Sequence, residues 1–332
     1  MTNNVGKPFQ RARNSALRFG LEELKLIRSI SDMKIFYQKM VSFTPRLTGM
    51  YDVNNPVPPS LQIEPTNWCN AHCLSCPTWN NPRAKGYMNF GLFTKIIDEA
   101  AQIGVKRIRL FLHGEPLIHP KIIEMIAYIK SKGLWLNVTT NGIHMDHEII
   151  QSFLNTGLNL GDHFTFSVLG YSKDVHERVM KGVKHEKVLA NIIDFRQSRD
   201  EKRLNGPIIE TIFYSMPENI AEESAYYDFW HGKVDHVRLG GPISESFAEV
   251  NQPNQTVIPR TQTCIELWER MTIFWDGRVP LCCQDVNGEW ILGDMKTQSI
   301  QEVWHSEQIQ AIKKIHKEKR FKDFPFCYNC DM

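Results

Sequence analysis

Three cysteines, Cys69, Cys73 and Cys76, lie close together in the segment EPTNWCNAHCLSCP with the spacing Cys-x3-Cys-x2-Cys. Thiolates bind iron and zinc well, and these three follow the predicted strand LQIEP, which places them on a loop. A set of three ligands leaves one iron of a [4Fe-4S] cluster open to a substrate or cofactor. A structural zinc ion, with His72 as its fourth ligand, is the alternative.

Five more cysteines lie near the C-terminus. A ligand near the end of a predicted hairpin, followed later by Cys-x2-Cys, is a common way of gathering four thiolates around one iron centre. A zinc ribbon is the alternative for this set. The five residues are Cys264, Cys282, Cys283, Cys327 and Cys330.

Short apolar runs alternate with helical stretches between Leu61 and about Gly240. The predicted strands are LQIEP, RIRLFL, LWLNV, FTFSV, IIETIFY and HVRL, and the predicted helices include LFTKIIDEAAQ, KIIEMIAYIK and HEIIQSFL. This alternation is typical of a parallel sheet with right-handed crossovers. Because these units are fewer than the roughly eight of a closed barrel, we predict an α/β fold with a partial (β/α)6 TIM-like barrel. Active sites on such sheets form at the C-terminal ends of the strands.

Two loop-like segments divide the sequence, NNPVPPS and a stretch rich in Pro, Asn and Gln near residues 241–262. We predict an N-terminal helical extension and linker over 1–60, a strand-helix core over 61–240 and a small C-terminal α+β domain over 241–332. In that last domain, MTIFW, Asp276-Gly277 and RVPLCC predict a β-hairpin, because Asp-Gly suits the positive φ angles of a tight turn. A polar helix is predicted over SIQEVWHSEQIQAIKKIHK.

The bulk composition argues against several classes of protein. The 332 residues include 39 basic and 37 acidic side chains, and a net charge of +2 gives no reason to expect a nucleic-acid partner. No stretch approaches the ~20 apolar residues of a membrane span, and MTNNVGKPFQ lacks the apolar core of a secretory signal. We therefore expect a cytoplasmic protein whose eight cysteines bind metal rather than form disulfides.

The first cysteine motif, in its place after the first strand, resembles the radical S-adenosylmethionine (SAM) superfamily, and the resemblance extends through most of residues 61–240. It implies that Cys69, Cys73 and Cys76 hold a [4Fe-4S] cluster whose free iron binds SAM. It also implies reductive cleavage of SAM to a 5′-deoxyadenosyl radical, with an electron donor such as flavodoxin or ferredoxin.

Further segments resemble SAM-binding positions of that family. The turn after the second strand is similar to its GGEP motif, although His113 replaces the first glycine. TTNG after the third strand and the end of the fourth strand resemble polar positions near the SAM ribose and carboxylate, and Lys181 stands where an arginine is commoner. The resemblance thus implies SAM-binding roles for His113, Gly114, Glu115, Pro116, Asn141, Ser167 and Lys181.

The second cysteine set resembles the twitch domain, the shortened relative of the SPASM domain, and its spacing is similar to that of an aminocyclitol dehydrogenase in this subgroup. The resemblance implies one auxiliary [4Fe-4S] cluster held by Cys264, Cys282, Cys327 and Cys330. A full SPASM domain with two auxiliary clusters needs about seven cysteines or more, so one auxiliary cluster is the maximum here. Cys283 is then spare, as either a hydrogen-atom donor to a substrate radical or a small buried residue that points away.

The expected activity is hydrogen abstraction from a small polar substrate, a sugar, aminocyclitol or glycoside, that leads to oxidation or epimerisation. Residues 1–60 look too short and too helical for a peptide-recognition domain, although a radical SAM peptide-modifying maturase is the alternative. An alternative of a different class is a noncatalytic iron-sulfur carrier or a zinc-stabilised binding module. His113 and Arg238, near predicted strand ends, are candidate proton acceptors.

Overall fold

The computed structural model describes residues 55–240 and 260–330, together with Met33. The predicted N-terminal extension and most of the loop near 241–262 lie outside these residues. The described chain forms two compact units. The cysteine unit contains residues 55–135 and 260–330, and the central unit contains residues 136–240. The division into domains over 1–60, 61–240 and 241–332 stays a prediction.

The first segment of the cysteine unit alternates strands and helices. Strand β1 pairs in parallel with β3. Helix α1 begins after Asn89, whose side chain accepts hydrogen bonds from the Gly91 and Leu92 N–H groups. The helix ends at the C-cap residue Gly104, which has a left-handed backbone with φ of 89°. The elements are β1 (Ser60–Ile63), β2 (His72–Cys73), a 3-10 helix (Pro77–Asn80), α1 (Phe90–Ile103), β3 (Arg107–Leu110), a second 3-10 helix (Pro116–Ile118) and α2 (Ile122–Ser131).

The central unit continues the same alternation. Strands β4, β5, β7 and β8 pair in parallel in that order. One face of these strands packs on helices, as shown by Phe164 and Phe195, whose ring centroids are 5.1 Å apart. The elements are β4 (Trp135–Thr140), α3 (His147–Leu154), β5 (His163–Ser167), α4 (Lys173–Val179), β6 (Met180–Lys181), α5 (His185–Glu201), β7 (Ile208–Tyr214), a 3-10 helix (Ile220–Glu222), α6 (Glu223–Trp230) and β8 (His236–Gly240).

The second segment of the cysteine unit has a tight turn where the hairpin is predicted, but not a hairpin of two paired arms. The tight turn is present, with Gly277 at φ of 91°, but the two arms have different partners. Strand β9 lies parallel to β1, whereas β10 pairs antiparallel with β11. The elements are α7 (Glu266–Glu269), β9 (Arg270–Ile273), β10 (Arg278–Pro280), β11 (Ile291–Asp294), α8 (Ile300–Trp304), α9 (Glu307–Lys317), a 3-10 helix (Phe321–Asp323) and α10 (Pro325–Tyr328).

The single polar helix predicted over residues 299–317 is wrong, because the structure divides it into α8 and α9. Ser299 and Glu302 form a capping box at the start of α8. Ser306 then caps α9 by accepting a hydrogen bond from the Ile309 N–H over 3.4 Å, so a new helix begins where the prediction placed a helix interior.

The predicted fold class is confirmed. All the predicted strands are present, and within each unit they pair in parallel, β1 with β3 and β9, and β4, β5, β7 and β8 in order. A small α+β segment follows at the C-terminal side. The chain therefore has the α/β architecture of a partial (β/α)6 TIM-like barrel with a small C-terminal region. No helix in the described residues is both long enough and apolar enough to cross a membrane.

Candidate active site

The first three cysteines lie on and around β2, in the loop that follows β1. All three are half-buried, and the Cys76 N–H donates to the Cys73 carbonyl over 3.2 Å. Burial raises the pKa of Cys69 to about 12. Burial and the neighbouring thiols Cys76 and Cys69 raise the pKa of Cys73 still further. Such a set ionises only when a cation compensates it, which is the condition that a bound iron centre supplies.

The arrangement of these thiols fits a cluster better than a single ion. In residues 55–240 and 260–330, no three His, Cys, Asp or Glu side chains are placed to hold one metal ion. His72, the fourth ligand required by the zinc alternative, is exposed. Each ligand of a [4Fe-4S] cluster binds a different iron, so cluster ligands do not converge on one point as the four ligands of a zinc ion do.

The loop after β3, which contains the GGEP-like segment, packs directly on the cysteine loop. The Glu115 N–H donates to the Trp68 carbonyl over 2.8 Å. A Cβ atom on Gly114 would lie 2.2 Å from the Thr66 carbonyl oxygen, so only glycine fits at this position. Glu115 is buried, and its side chain accepts a hydrogen bond from the Leu117 N–H over 3.0 Å, just after Pro116 begins a 3-10 helix.

His113 connects this loop to the second cysteine set. Its ring is buried, hydrogen-bonds the backbone of Cys283 and lies 6.4 Å from the Phe274 ring centroid. Burial, and then the charge of Arg83, lower the pKa of His113 to about 3. The Nε2 atom has no hydrogen-bond partner in the described part of the chain, so the role of His113 as a proton acceptor stays a prediction.

The other predicted SAM-binding residues belong to the central unit. Thr140 pairs with Phe166 across β4 and β5, so the next residues, Asn141 and Ser167, lie at the same level of the sheet. Asn141 is buried, Ser167 is half-buried, and Lys181 in β6 is exposed. Asn141 and Ser167 are therefore brought together at the C-terminal ends of adjacent strands, where ligands of parallel sheets bind.

All five C-terminal cysteines line one pocket of the cysteine unit. Arg260 borders the same pocket, and its Nε donates to the Cys327 carbonyl over 3.1 Å. The Cys264 N–H donates to His316 Nδ1 over 3.2 Å. The Cys330 N–H donates to the Cys327 carbonyl over 3.3 Å, which keeps the Cys-x2-Cys pair on one turn. The five thiols are Cys264, Cys282, Cys283, Cys327 and Cys330.

The electrostatics of this pocket also fit an iron centre. Burial and the nearby thiols Cys264 and Cys330 raise the pKa of Cys327 to about 12. Burial and then Cys283 raise the pKa of Cys282 well above its ordinary value. Four thiols are enough for a fully ligated [4Fe-4S] cluster, and the fifth is left over. Cys283 is among the residues that line the pocket, and its role, as a hydrogen-atom donor or as a small buried residue that points away, stays a prediction.

Two further residues at the site had no signal in the sequence. Arg83 forms a buried ion pair with Glu64, and its Nε donates to the Val286 carbonyl over 2.8 Å. Arg83 follows the cysteine loop and Val286 follows Cys283, so this side chain joins the two cysteine-bearing segments. Neither residue belongs to a recognisable motif, and their pairing depends on long-range contacts.

Two family models match this chain. The radical SAM superfamily model matches residues 63–223, and the model of an iron-sulfur cluster-binding domain, SPASM, matches residues 264–331. The first match contains the cysteine loop and the GGEP-like segment, and the second contains the five-thiol pocket.

Three relatives illustrate the range of activities among similar proteins. A tungsten-containing aldehyde ferredoxin oxidoreductase cofactor-modifying protein of Pyrococcus furiosus is 29% identical over 321 residues, which cover 82% of this chain and 87% of the relative. PqqA peptide cyclase of Gluconobacter oxydans is 30% identical over 142 residues, or 41% of this chain and 38% of the relative. An S-adenosyl-L-methionine-dependent 2-deoxy-scyllo-inosamine dehydrogenase of Niallia circulans is 22% identical over 283 residues, or 82% and 92%.

The fold is shared with solved structures. BtrN in complex with AdoMet and 2-DOIA superposes with a TM-score of 0.56 at 17% sequence identity, covering 83% of this chain and 94% of BtrN. The two matched domains carry a SAM-binding [4Fe-4S] cluster and an auxiliary iron-sulfur cluster. On these grounds the chain is a radical SAM enzyme, and it belongs to the SPASM/twitch subgroup of that superfamily.

Proposed function

We propose that this enzyme abstracts a hydrogen atom from a small polar substrate, a sugar, aminocyclitol or glycoside, and that Cys69, Cys73 and Cys76 hold its SAM-binding cluster. The observation that carries the proposal is that the cysteine unit has two distinct groups of thiols: three on one loop and five in one pocket. With the cluster and SAM bound, one-electron reduction supplies a 5′-deoxyadenosyl radical. The protein supplies the ligands, the orientation of the substrate and the exclusion of water.

Each unit contains residues that we propose as SAM contacts. In the cysteine unit, the GGEP-like loop is bonded to the cysteine loop through Glu115, so a SAM molecule bound by the cluster meets a fixed backbone. In the central unit, Asn141 and Ser167 present polar side chains at the ends of adjacent strands. The proposed SAM-binding residues are His113, Gly114, Glu115, Pro116, Asn141, Ser167 and Lys181.

The auxiliary pocket supports two outcomes. Cys264, Cys282, Cys327 and Cys330 would hold the auxiliary cluster, which would supply a one-electron acceptor; loss of one electron and one proton from a substrate carbon radical would then give an oxidised product. If Cys283 donates its hydrogen atom instead, the substrate is epimerised, and the resulting thiyl radical regains one electron and one proton. The electron donor proposed for either route is a flavodoxin or ferredoxin.

The comparisons support two substrate classes. The dehydrogenase of Niallia circulans, which matches over most of both chains, is named for the aminocyclitol 2-deoxy-scyllo-inosamine. That match favours a small polyhydroxylated substrate. Peptide modification is the second candidate, because PqqA peptide cyclase is 30% identical over a shorter stretch.

The test is anaerobic reconstitution with iron and sulfide, followed by SAM and dithionite. We expect about eight irons per chain, from two four-iron clusters, and release of 5′-deoxyadenosine measured by liquid chromatography. Replacing Cys69, Cys73 and Cys76 by alanine should abolish this release, whereas replacing Cys327 and Cys330 should lower the iron content and leave abortive SAM cleavage measurable. Zinc in place of iron, or intact SAM after reduction of the loaded protein, would refute the assignment.

The substrate class is tested in the same assay. We expect an aminocyclitol such as 2-deoxy-scyllo-inosamine to increase the rate of 5′-deoxyadenosine release more than unrelated peptides do. Deuterium transferred from a labelled substrate into 5′-deoxyadenosine would identify direct hydrogen abstraction. Transfer from a peptide, but from no polyol or glycoside, would support the second candidate instead.

A further inference from the structure

One face of the sheet in the central unit is polar, and it points away from the packed helices. The pairing register places Thr165, Glu210 and His236 side by side on β5, β7 and β8. Residues two positions apart share a face of a strand, so Arg238 and Tyr214 lie on this same face. The opposite face carries Phe164, Phe166 and Phe213, whose rings contact those of Phe195 and Tyr226 on helices α5 and α6.

Glu210 is the centre of a hydrogen-bonded network on the polar face. Its carboxylate accepts from Thr165 Oγ1 over 3.1 Å, binds His236 Nδ1 at 2.6 Å and forms an ion pair with Arg238 Nη2 at 2.9 Å. Burial acts to raise the pKa of Glu210, but Arg238 and His236 outweigh it and the pKa is lowered. The carboxylate therefore stays ionised and fixes the orientation of the Arg238 guanidinium.

The network opens towards the C-terminal ends of the strands. The side chain of Glu210 is 7% exposed and that of Arg238 is 45% exposed. Tyr214, at the end of β7, is exposed as well, and its ring lies against Gly240, where a Cβ atom would come within 2.3 Å of the ring. Gly240 thus leaves space for the Tyr214 ring at the end of β8, two residues beyond Arg238 on the same face of the strand.

This position is close to a proposed SAM contact within the same unit. The register places Ser167, Ile212 and Arg238 in one row across three neighbouring strands. Because neighbouring strands are about 4.8 Å apart, the backbones of Ser167 and Arg238 are separated by roughly 10 Å. A molecule that contacts Arg238 and Tyr214 therefore lies on the same face as Ser167, at the end of the sheet where ligands of parallel sheets bind.

The chemistry of the two exposed groups selects a class of ligand. A guanidinium offers five N–H donors. In the contacts of residues 55–240 and 260–330, Arg238 uses one of them for Glu210, which leaves the others for hydroxyl or carbonyl oxygens. The adjacent carboxylate compensates the positive charge, which disfavours a second anion and favours neutral acceptors. The Tyr214 ring adds an apolar face and a polar tip. A neutral ring that carries hydroxyl groups has the matching combination of an apolar face and oxygen acceptors.

We propose that Arg238 and Tyr214 form a subsite for the hydroxyl groups and one face of a neutral polyhydroxylated ring, and that Glu210 is the positioning residue that orients Arg238. This inference rests on the proposed function, because it assigns the residues that recognise the small polar substrate. It also replaces the expectation that Arg238 is a proton acceptor: the neighbouring Glu210 raises the pKa of Arg238 against the effect of burial, so the guanidinium remains protonated.

The test uses the reconstituted full-length enzyme with SAM and two ring probes, neutral myo-inositol and anionic glucuronate, in ligand-observed NMR under anaerobic conditions. We expect the wild type to bind myo-inositol, and Arg238→Gln to bind it about tenfold or more weakly, since hydrogen bonds from a charged group are lost. Arg178→Gln is the matched control, because Arg178 lies in the same unit and donates only to the exposed Glu218 carbonyl in the described contacts. Both variants should bind as much iron as the wild type, and abortive 5′-deoxyadenosine release should stay unchanged in the control Arg178→Gln.

The positioning role of Glu210 has its own readout. Glu210→Gln removes the charge that compensates Arg238, so the preference should shift from myo-inositol towards glucuronate, an effect that loss of stability alone does not produce. Tyr214→Leu should weaken myo-inositol binding without changing this preference. If Glu210→Gln does not fold, Tyr214→Leu tests the subsite in its place.

The outcomes separate this inference from the proposed function. Equal myo-inositol binding by wild type and Arg238→Gln overturns the subsite and leaves the proposed function intact. Binding of neither probe by an enzyme that releases 5′-deoxyadenosine overturns both the subsite and the substrate class. Binding that depends on Arg238 in a protein that never cleaves SAM supports the subsite and refutes the proposed function.

Discussion

Arg83 and Glu64 form a bidentate ion pair in the interior of the cysteine unit. Nη1 lies 2.9 Å from Oε2 and Nη2 lies 2.7 Å from Oε1, and both side chains are almost completely buried. The guanidinium also stacks over the Phe274 ring, 3.7 Å from its centroid. Because Glu64 directly follows β1, this pair connects the cysteine loop to the strand that leads into it and to the segment before Cys282.

Replacing Arg83 by methionine should destabilise the protein by about 3 to 5 kcal/mol, because the Glu64 carboxylate remains buried without a partner. The double variant Arg83→Met with Glu64→Gln should recover part of this loss, since the buried charge is removed. Chemical denaturation followed by circular dichroism measures the free energy of unfolding, and the iron content measures whether the two cysteine segments still assemble.

The control for this prediction is an exposed ion pair. Lys173 Nζ and Glu186 Oε1 are 3.0 Å apart on the surface of the central unit, where solvent screens the charges, so Lys173→Met should cost much less than Arg83→Met. If Arg83→Met costs no more than this control, the buried pair is not the connection that we describe.

Gly114→Ala should disrupt the contact between the GGEP-like loop and the cysteine loop. The added methyl group would lie 2.2 Å from the Thr66 carbonyl oxygen and 2.8 Å from that of Trp68, both backbone atoms of the loop that carries Cys69. We expect less iron in the SAM-binding cluster and a strong loss of 5′-deoxyadenosine release. Gly104→Ala is the control: its methyl group meets nothing within 4 Å, so only the left-handed backbone at φ of 89° is strained, at about 1 kcal/mol, and the iron content should not change.

Cys282→Ala and Cys283→Ala should have different effects. If Cys282 is a cluster ligand and Cys283 is spare, Cys282→Ala lowers the iron content towards about four per chain, whereas Cys283→Ala leaves it at about eight. Iron analysis and electron paramagnetic resonance of the reduced protein distinguish the two variants. Unchanged product stereochemistry and turnover in Cys283→Ala would rule out the hydrogen-donor role. Loss of iron from Cys283→Ala, but not from Cys282→Ala, would show that Cys283 is the cluster ligand and Cys282 the spare thiol.

The parts of the fold that depend on local sequence were predicted well. The run IIETIFY is strand β7 over its whole length, and HEIIQSFL is helix α3, which the Asp146 side chain caps by accepting from the Ile149 N–H. The parallel pairing of β9 with β1 was not predicted, because Ser60 and Arg270 are far apart in the sequence and no local pattern records the choice of partner.

The candidate site also combines features that follow from local sequence with features that depend on long-range packing. The spacing of cysteines is a local signal, so both sets were identified from the sequence. Whether Cys283 faces the pocket depends on the course of the chain after β10, and the pairing of Arg83 with Glu64 depends on how two segments pack. The network of Glu210, His236 and Arg238 required the register between β7 and β8, although Arg238 had been singled out by its place near a strand end.

His176 should make the stability of the enzyme depend on pH. Its side chain is completely buried beside His185, with ring centroids 5.1 Å apart, and neither ring nitrogen has a hydrogen-bond partner among the residues that the structure describes. Burial, and then His185, lower the pKa of His176 from 6.5 to about 4. In the folded chain the ring stays neutral down to this value, whereas in the unfolded chain it binds a proton below about 6.5.

Because the unfolded state binds more protons between pH 6.5 and about 4, the stability contributed by neutral His176 is complete above this window and is lost as the pH falls through it, by up to about 1.4 kcal/mol per pH unit. His176→Leu removes the titrating group and two unpaired nitrogens, so the slope of unfolding free energy against pH should decrease. Urea denaturation at several pH values between 7.5 and 5 measures that slope. An equal slope in His176→Leu and wild type would show that another group causes the acid sensitivity.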